Sequence, residues 1–581
     1  MAAGLCFAVF NAWAQHEEGS LAGYYRPPFD TELLPSANFA ETRVNHLHSG
    51  VDIKTGGAEG RKVYAAAEGY VCRIGIAPGG FGRVLYVNHP NGTTTVYAHL
   101  QKFTPAMEKY VTGERYRQKK HNIDLYLGPQ TFPVNKGDLI GYSGNSGRSS
   151  GPHLHYELRD AATQRPLNLL VRGALDIKDD IPLTIVRLHY VEVDTVDNVP
   201  LNSKPRAIEV KKISANLFSP ADTSAVELGP RGYFILEATD RKNGTANTMG
   251  IYRVDAAFDG EPLFGFSLDG FLYSDTRYVN SLCHYAMQRN SRNQMLRLAL
   301  QANNRLPVYT KMQNRGLVSL SDDRPHLVNI KVTDDNGNIS TMEIRVKKRS
   351  AQRTFYSTSD IAGRVADYTR EFRSSLGGMT VTIPARALYE SVFFKEAMDE
   401  NLVLKGGGTA SDRRYSPVYT IHDNAIPLHK AMTISIKPEG LPESLYSKAC
   451  LAVVSNDGTY SYAGGKYENG SVTGTSTLFG RYCVVADNIA PVATPSFADG
   501  ADLKGRSSIS FTVKDNFSGI ASFNATIDGV WIILEQNTMK NTITHYFDPD
   551  KVAYTGGKHE LSLTVTDNKG NSTVVKRSFI R

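Results

Sequence analysis

Several features that mark special classes of protein are scarce in this chain of 581 residues. Five cysteines are too few for a disulfide scaffold. No apolar run approaches the roughly 20 residues that a membrane-spanning helix needs. The net charge of +7 is spread along the chain and forms no basic stripe, so we expect no nucleic-acid partner. These absences predict a large globular chain whose function depends on local motifs.

Length and composition indicate several packed domains. A chain of this size suggests about four domains, and a hydrophobic content of 41% supports packed cores. Residues 1–14 resemble the end of a secretory signal, with the small-x-small pattern Ala12-Trp13-Ala14 before Gln15. The charged segment that opens such a signal is missing, so we expect the natural start to lie upstream. This pattern predicts a secreted protein of the periplasm or cell envelope.

Two histidines near residue 150 alternate with apolar residues. His153 and His155 follow a Gly-Pro break and begin an alternating run that is typical of a strand. Residues two apart in a strand project from the same face. We therefore expect both histidines to point one way, with Leu154 and Tyr156 facing a core.

A second motif contains His48 and Asp52, four residues apart. Val51 and Ile53 continue as strand-like alternation, so a strand is favoured over a helix. A straight strand would separate the two side chains by roughly 13 Å, which is too far for them to share one ion. The segment must therefore bend, and Gly50 is the residue that permits a bend.

A third motif ends in His99, which closes an alternating strand that begins near Thr93. The three motifs together offer imidazoles and a carboxylate, which are the ligand types of a zinc centre. A His-x-His pair on its own is most often a pair of surface histidines on an exposed strand. The co-occurrence of the three motifs in β context favours a functional site in the first third of the chain.

These motifs resemble the lysostaphin/LytM-type zinc endopeptidases of bacterial cell walls. That family carries a His-x-Gly-x-Asp element, a Tyr-x-His-Leu element and a Gly-x-Ser-x-Gly-Pro-His-Leu-His element, in this order. The corresponding segments here are residues 48–52, 97–100 and 147–155. The resemblance covers most of residues 25–175 and no key position is lost, so it implies a working enzyme.

The resemblance implies a role for each of five residues. His48, Asp52 and His155 would hold Zn²⁺, while His99 and His153 would be the catalytic histidines. A shell of two histidines and one aspartate leaves a zinc position to water and keeps the centre positive enough to acidify that water. One catalytic histidine would take the proton of the water and the other would stabilise the oxyanion. The sequence does not show which of these two roles belongs to His99 and which to His153.

The favoured function is hydrolysis of peptide cross-links in bacterial peptidoglycan by a secreted zinc metalloendopeptidase. The alternative is a catalytically silent protein that binds the cell wall or regulates another enzyme, and the intact ligand set argues against it. A third option is a non-haem iron oxygenase, because two histidines and one carboxylate are also its ligands. The resemblance and the signal-like start disfavour that option. The sequence leaves open which peptide bond would be cut and whether a flap or a β-module blocks the groove.

Several residues beside the motifs have less specific interpretations. We interpret His46 as a surface or rim histidine and expect His89 and His121 to be solvated. Arg43 could orient a substrate carboxylate or form a structural ion pair. Residues 101–132 form a basic, aromatic insertion, which could be a solvated flap or a rim that shapes the substrate groove.

An internal repeat marks the C-terminal part of the chain. Residues 326–338 match residues 559–571, and each segment is a strand followed by an Asp/Asn-Gly hairpin turn, as in the last hairpin of an immunoglobulin-like sandwich. The acidic turns could bind calcium, but hairpin chemistry explains Asp334 and Asp567 without it. Residues 185–581 show no other metal, nucleophile or phosphate-binding pattern.

These patterns predict a mainly β fold, in which an antiparallel-sheet LytM-type peptidase domain precedes several immunoglobulin-like or β-sandwich domains. The C-terminal β-domains would position the peptidase domain or bind a protein partner, and the oligomeric state is not predicted. The predicted domains are the peptidase domain at 15–178, an Ig-like sandwich at 179–349, a second type of β-sandwich at 350–487 and a C-terminal Ig-like domain at 488–581.

The cysteines allow two interpretations in one of these domains. Cys450 and Cys483 lie in strand-like segments of the third domain, where they could form a disulfide or remain unpaired in the core. Cys72 and Cys283 are expected to be small buried residues. Cys6 would be removed with the signal.

Overall fold

A computed structural model describes residues 20–351, 354–406, 413–554 and 556–581. The predicted signal remnant and Cys6 lie outside the described residues. The described chain consists mainly of β-strands arranged in antiparallel sheets, which confirms the predicted fold class. In the part of the chain that the structure describes, no helix is both long and apolar enough to cross a membrane.

The first third is built around an antiparallel sheet that carries the predicted motif residues. Its central strand places His155 opposite Asp52 on one side and opposite Ala98 on the other. Leu154 and Tyr156, on the other face of that strand, are buried in the core, as the alternation predicts. In order across the sheet, the strands are Pro35–Ala37, Val51–Lys54, His153–Asp160, Thr93–Ala98, Arg83–Asn88, Gly69–Ile76 and Ile123–Tyr126; Pro133–Val134 pairs with Gly69–Ile76, and Pro166–Leu167 pairs with His153–Asp160.

Smaller elements flank this sheet. Two short strands form a hairpin just before the bend that carries His48, and one strand of a second small sheet begins just after His99. The hairpin consists of Thr42–Arg43 and His46–Leu47, and the small sheet consists of Lys62–Tyr64, Leu139–Ser143 and Leu100–Phe103.

Residues 101–132 are not the open loop that their composition suggests. They contain helix Pro105–Gln118, and strand Ile123–Tyr126 joins them to the main sheet. A proline at the helix start and Glu108 in its first turn favour this terminus. Met107, Val111 and Arg115 form the buried face of the helix, each four residues after the last. The helix is hard to predict from sequence because the third member of this face is an arginine.

The second β-region contains a large sheet and several short helices. Most strands pair antiparallel, and the sequence repeat forms the hairpin of strands His326–Thr333 and Ile339–Lys348. The other strands are Thr184–Val196, Val199–Asn202, Arg206–Lys212, Leu217–Pro220, Val226–Leu228, Arg231–Arg241, Thr248–Met249, Arg253–Phe258, Glu261–Ser267, Gln294–Arg297, Tyr309–Met312 and Val318–Ser319; the helical turns are Thr276–Tyr278, Val279–Leu282, Tyr285–Gln288 and Asn314–Gly316.

The third β-region consists of two five-stranded sheets, a strand pair and one helical turn. One sheet contains Phe372–Leu376, Met379–Ile383, Pro427–Ile436, Ser471–Leu478 and Lys466–Glu468; the other contains Glu396–Asp399, Val418–Ile421, Gly480–Ala486, Ala449–Val454 and Tyr460–Tyr462; Arg364–Ala366 pairs with Val392–Phe394, and the helical turn is Glu443–Lys448.

The last β-region has two sheets, and the second copy of the sequence repeat forms its final hairpin, Lys558–Asp567 with Ser572–Ile580. One sheet contains Val492–Pro495, Ser508–Lys514, Thr542–Tyr546 and Glu535–Asn537; the other contains Ala501–Asp502, Ser572–Ile580, Lys558–Asp567, Ile520–Ile527 and Val530–Trp531.

One hydrophobic cluster is continuous across the first two β-regions. It extends from Tyr25 to Val346 and also includes Tyr389 of the third region. Separate clusters fill the third and fourth regions. The predicted domain boundaries remain predictions, but the first two regions bury their apolar side chains against one another. The peptidase-like sheet therefore depends on its neighbour for part of its packing.

The described cysteines are all free. Cys450 and Cys483 are buried in adjacent strands, but Cys450 lies opposite Val485 and Cys483 lies opposite Ala452. The structure therefore agrees with the interpretation in which Cys450 and Cys483 are unpaired core residues and form no disulfide.

Candidate metal centre

The motif from His48 to Asp52 bends as its glycine predicts. Strand His46–Leu47 ends before His48, and strand Val51–Lys54 begins one residue after Gly50. A side chain at Gly50 has no room, because a Cβ there would lie 2.4 Å from the carbonyl oxygen of Tyr156. The glycine therefore allows the bend to pack directly against the strand that carries His155.

Three donor atoms converge where this bend meets the central strand. Nε2 of His48 lies 3.1 Å from Oδ1 of Asp52 and 3.0 Å from Nδ1 of His155. Nδ1 of His155 lies 2.8 Å from the same Asp52 oxygen. All three residues are buried, and their ligand atoms are close enough to hold one metal ion. The structure thus brings together the three predicted ligands.

The second nitrogen of each imidazole has its own partner. Nδ1 of His48 donates to the carbonyl oxygen of Asn38 at 2.8 Å. Nε2 of His155 donates to Oε1 of Glu157 at 2.8 Å. With a metal ion bound, each ring would therefore carry its proton on the nitrogen away from the centre and turn the lone pair of its other nitrogen toward the ion. This arrangement of outer hydrogen bonds is typical of histidines that ligate a metal.

The electrostatics of the centre favour a positive charge between Asp52 and His155. Burial alone would raise the pKa of Asp52, but the charge of His48 and hydrogen bonds to His153 and His155 hold that pKa well below its usual value. Burial alone would lower the pKa of His155, but its bonds to Asp52 and Glu157 raise that pKa to about 9. A proton or a metal cation can supply the charge. The donor atoms are two nitrogens and one carboxylate oxygen. This set fits a metal ion of intermediate softness, such as zinc.

The two remaining predicted histidines lie beside these donors. The ring centroids of His99 and His153 are 4.7 Å apart, and His99 is 5.9 Å from His155. Nε2 of His153 lies 3.5 Å from Oδ1 of Asp52. Nδ1 of His99 donates to the carbonyl oxygen of Ser146 at 2.8 Å, and Nδ1 of His153 donates to that of Gly151 at 2.8 Å. When either ring is neutral, Nε2 is therefore the nitrogen that carries the lone pair and can accept a proton.

His99 occupies an unusual backbone position. It follows strand Thr93–Ala98 with a left-handed φ of 59°, and its amide donates to the carbonyl oxygen of Phe81 at 2.9 Å. Non-glycine residues adopt this conformation rarely, and mostly at turns or functional sites. The next residue starts a strand of the small sheet. Burial and the positive charges of His155 and His153 lower the pKa of His99 to about 3, so its ring is neutral.

Glu157 is a functional-site residue that the sequence reasoning missed. It is fully buried and accepts hydrogen bonds from Ser49 and Arg159 in addition to His155. Burial alone would raise its pKa, but the charge of Arg159 and the bond from His155 lower that pKa to about 2. The signal was present in the sequence, because Glu157 continues the alternation of His153 and His155 on the same strand face.

The second β-region contributes a side chain to this outer layer. The hydroxyl of Tyr273 donates to Oε1 of Glu157 at 3.1 Å and accepts from Arg159 at 2.7 Å. Nearby, the amide of Leu47 donates to the hydroxyl of Thr276 at 2.7 Å. No local pattern in the sequence predicts these contacts, because the partners lie more than a hundred residues apart.

The residues with less specific predictions have mixed outcomes. His46 is exposed, as predicted. Arg43 forms ion pairs with Glu41 at 3.1 Å and with Asp52 at 3.5 Å, which is the structural role considered for it. The predicted solvation of His89 is wrong, because that side chain is buried and bonds to the carbonyl oxygen of Glu68 at 2.7 Å and to the hydroxyl of Thr95 at 2.8 Å.

The predicted solvation of His121 is also wrong. Its ring is stacked between Phe523 and Trp531 of the last β-region, with both centroid distances at 4.9 Å. The insertion that carries it therefore packs against another region of the chain. Arg115 of the same insertion forms an ion pair with Glu535 at 2.9 Å.

An antiparallel sheet that holds this group of histidines and one aspartate forms a candidate site for a metal ion. Residues 46–115 and 121–168 match the model of Peptidase family M23, so the first third of the chain contains an M23 domain. The five unmatched residues between the two segments lie in the helical insertion. Residues 363–487 match a Zu5-like domain, which coincides with the third β-region.

Two relatives match a limited part of the chain. The DD-carboxypeptidase/endopeptidase Mpg of Neisseria meningitidis serogroup B is 36% identical over 113 residues, which is 19% of this chain and 20% of the relative. The peptidoglycan DD-endopeptidase ShyA of Vibrio cholerae is 29% identical over 153 residues, or 25% of this chain and 29% of the relative. The chain therefore spans less than a third of the length of either protein.

Among solved structures, the catalytic domain of lysostaphin from Staphylococcus simulans is similar to this part of the chain. The sequences are 22% identical, and the match covers 22% of this chain and 82% of the lysostaphin domain with a TM-score of 0.17.

Proposed function

We propose that this protein is a secreted zinc metalloendopeptidase that hydrolyses peptide cross-links of bacterial peptidoglycan in the cell envelope. The observation that carries the proposal is the convergence of His48, Asp52 and His155 within 3.1 Å of one another, with two further histidines beside them. The M23 domain and its relatives named as peptidoglycan DD-endopeptidases support the same substrate class. A bond between two D-configured residues is therefore the cross-link we propose.

In this proposal Zn²⁺ is held by Nε2 of His48, Oδ1 of Asp52 and Nδ1 of His155. When bound, the ion supplies Lewis-acid chemistry, which lowers the pKa of water and polarises a carbonyl group. The hydrogen bonds from His48 to Asn38 and from His155 to Glu157 keep both rings in the orientation that ligation requires. Asp52 contributes the negative charge that a divalent ion needs in a buried site.

His99 and His153 act as a pair on the proton of the attacking water. Because Nδ1 of each ring is committed to a backbone carbonyl, Nε2 is the atom that accepts a proton. A ring that has taken the proton becomes an imidazolium, which stabilises the oxyanion by hydrogen bonding and then returns the proton to the leaving amine. The low pKa of His99 keeps its Nε2 unprotonated at neutral pH.

The C-terminal β-regions position the M23 domain in this proposal and offer surfaces for a protein partner. Tyr273 of the second region and Glu535 of the fourth both contact residues of the first third.

The test is digestion of purified peptidoglycan by the full chain, with muropeptide products separated and identified. We expect zinc-dependent release of cleaved cross-links, and loss of both bound zinc and activity in His155→Ala. His99→Ala and His153→Ala should lose activity but keep zinc, and the exposed control His46→Ala should keep both. A fully active His155→Ala variant would contradict the proposal. A zinc-loaded chain that binds peptidoglycan without cleaving it would instead support a silent wall-binding protein.

A further inference from the structure

Three aspartates from distant segments meet in the second β-region, away from the histidine-rich centre. Asp179 precedes strand Thr184–Val196, Asp240 lies near the end of strand Arg231–Arg241, and Asp334 follows strand His326–Thr333. One carboxylate oxygen of each lies within 4.8 Å of the others. We call these residues the Asp240 cluster.

Asp240 is the unusual member of this cluster. Its exposed fraction is 1%, and neither of its carboxylate oxygens has a hydrogen-bond partner among the described residues. A buried carboxylate without partners is costly, and native proteins pair such groups with a donor or a cation. Because a carboxylate oxygen of Asp240 lies within 4.8 Å of two other carboxylates, a cation among them would supply the missing partner. This observation points to a ligand independently of the clustering itself.

The other two aspartates have hydrogen-bond partners that fix their orientation. Oδ1 of Asp334 accepts the amides of Asn336 at 2.9 Å and Asn338 at 2.8 Å. Oδ1 of Asp179 accepts the amide of Ile181 at 3.0 Å. The second oxygens also have partners, since Oδ2 of Asp334 accepts from the Asn338 side chain at 2.8 Å and Oδ2 of Asp179 accepts from Lys242 at 3.3 Å. The backbone therefore holds the cluster in place without neutralising it.

One buried ammonium lies near the cluster but does not satisfy it. Nζ of Lys242 lies 3.3 Å from Oδ2 of Asp179 and also bonds to Asp335 and Asn336. Against the effect of burial, Lys242 lowers the pKa of Asp240 and Asp334 through its charge, but among the described residues its ion pairs are with Asp179 and Asp335. Burial and the charge of Asp334 raise the pKa of Asp240 to about 9, which shows how poorly the cluster tolerates its own negative charge.

The same arrangement recurs in the last β-region. Asp487, Asp515 and Asp567 also have ligand oxygens within 4.8 Å of one another. Asp567 accepts the amides of Lys569 at 2.7 Å and Asn571 at 2.8 Å, which are two and four residues after it. Asp334 accepts amides at the same two spacings. The Asn571 side chain donates to the carbonyl oxygen of Asp487 at 2.9 Å.

The matching bond in the Asp240 cluster joins the Asn338 side chain to the carbonyl oxygen of Asp179 at 3.2 Å. Within the part of the chain that the structure describes, Oδ1 of Asp515 also lacks a hydrogen-bond partner. Both copies of the sequence repeat therefore carry the same three-carboxylate layout.

We propose that Asp179, Asp240 and Asp334 bind a calcium ion, separate from the zinc centre of the proposed function. The donors are all carboxylate oxygens, which select hard cations over zinc or iron. Calcium takes six to eight oxygens at flexible distances, and carboxylates can ligate it through one or both oxygens. Magnesium keeps several of its waters, for which a buried cluster leaves little room.

The position of the cluster indicates what the ion would do. Asp179 belongs to the segment that joins the first two β-regions, so an ion there would tie the linker to two strands of the second region. The neighbouring Asp335 accepts a hydrogen bond from the Asn38 side chain at 2.9 Å. The backbone carbonyl of Asn38 in turn holds His48. An ion at the Asp240 cluster would thus stiffen the turn that anchors one wall of the candidate metal centre.

The test compares full-length wild type with Asp240→Asn after both have been stripped of metal with EGTA and dialysed. Calorimetric titration with CaCl₂ should show one calcium ion fewer in the variant. Saturating CaCl₂ should raise the thermal midpoint of the wild type by several degrees, since an ion that binds only the folded state stabilises it. The rise should be smaller in the variant. MgCl₂ titrated in parallel should bind at least tenfold more weakly.

The variant should fold, because asparagine has nearly the same shape and the Asp240 oxygens bond to no other residue of the described chain. Without calcium, its thermal midpoint should equal or exceed that of the wild type. The matched control is Asp323→Asn, which removes the same charge from a side chain that is 84% exposed in the same region. Equal calcium stoichiometry in wild type and Asp240→Asn, or no calcium binding by the wild type, would overturn the proposal whether or not the chain proves to be a peptidase.

Discussion

His155 donates a hydrogen bond from Nε2 to Oε1 of Glu157 at 2.8 Å, two residues further along the same strand. Glu157 is fully buried and is itself held by Ser49 and Arg159. A carboxylate in this position fixes the orientation of a histidine ring and increases the basicity of its other nitrogen. Here that nitrogen is Nδ1, which faces Asp52. The metal affinity of the candidate centre therefore depends on Glu157, a residue that is not itself one of the three proposed ligands.

Replacement of Glu157 by glutamine should weaken zinc binding about tenfold or more, because outer-shell partners of ligating histidines typically contribute 10- to 100-fold in affinity. The amide can still accept a hydrogen bond from His155 but carries no charge. The measurement is the zinc dissociation constant by competition with a chromogenic chelator.

A matched control for this change is Glu209→Gln, since Glu209 is a half-exposed carboxylate that pairs with Arg187 away from the centre. This control should leave zinc affinity unchanged. The Glu157 variant also leaves Arg159 without its buried partner, so its thermal midpoint should fall. Unchanged zinc affinity in a folded Glu157→Gln protein would contradict the role given to Glu157.

Separation of the first two β-regions should destabilise the M23 domain. One hydrophobic cluster spans both regions, the rings of Phe39 and Phe271 lie 5.5 Å apart, and Tyr273 bonds to Glu157 across the junction. A fragment of residues 20–178 should therefore unfold at a lower temperature and bind zinc more weakly than a fragment of residues 20–351. Thermal unfolding and zinc titration of both fragments test this expectation. Equal values for the two fragments would show that the shared cluster is not needed.

Introduction of a side chain at Gly50 should be strongly destabilising. A Cβ there would lie 2.4 Å from the carbonyl oxygen of Tyr156 and 2.8 Å from Cγ of Glu157, so the bend and the central strand would have to separate. Overpacking of this kind typically costs about 1–3 kcal/mol. We expect Gly50→Ala to lower both the thermal midpoint and the zinc affinity.

The control for this change is Gly113→Ala, in helix Pro105–Gln118, where a Cβ meets no atom within 4 Å. Alanine in a helix interior is favoured over glycine by up to about 1 kcal/mol. The same substitution should therefore stabilise the protein at Gly113 and destabilise it at Gly50. A neutral effect at Gly50 would show that the bend can move without cost.

Local periodicity was sufficient to predict much of the site. The alternation around His153 and His155 predicts which side chains share a face, and the spacing from His48 to Asp52 predicts a bend at Gly50. Each of these inferences depends on residues within a single strand or turn. Their success reflects the fact that the candidate ligands lie on two segments that pair directly with each other.

What local periodicity could not predict depends on tertiary contacts. The carbonyl of Asn38 and the hydroxyl of Tyr273 reach the centre only because the second β-region packs against the first. His89 was misjudged because a polar, turn-like sequence context does not reveal the two hydrogen-bond partners, the carbonyl of Glu68 and the hydroxyl of Thr95, that the fold places beside it. The left-handed backbone of His99 likewise arises from its place between two sheets, and alternation alone continues through it.

The docking of the insertion on the last β-region should depend on pH through His121. Its Nδ1 accepts the amide of Leu534 at 3.0 Å, and its Nε2 donates to the carbonyl oxygen of Phe523 at 3.2 Å. Protonation at Nδ1 would set one N–H group against another. Burial, together with the charge of Arg115, lowers the pKa of His121 to about 4. The unfolded value is near 6.5, so the unfolded state binds a proton first as pH falls.

The stabilising contribution of His121 should therefore be complete above about pH 6.5 and should be lost between about pH 6.5 and 4. Because the ring is partly accessible to solvent, we expect a loss of about 1–2 kcal/mol and not the full linkage value of about 3 kcal/mol. Thermal midpoints measured between pH 7.5 and 4.5 should fall more steeply in the wild type than in His121→Gln. Glu535, a carboxylate at this contact, has a pKa that burial would raise but that Arg83 and Arg115 hold below its usual value, so it titrates at lower pH. Parallel pH profiles for wild type and His121→Gln would show that protonation of this ring does not control the contact.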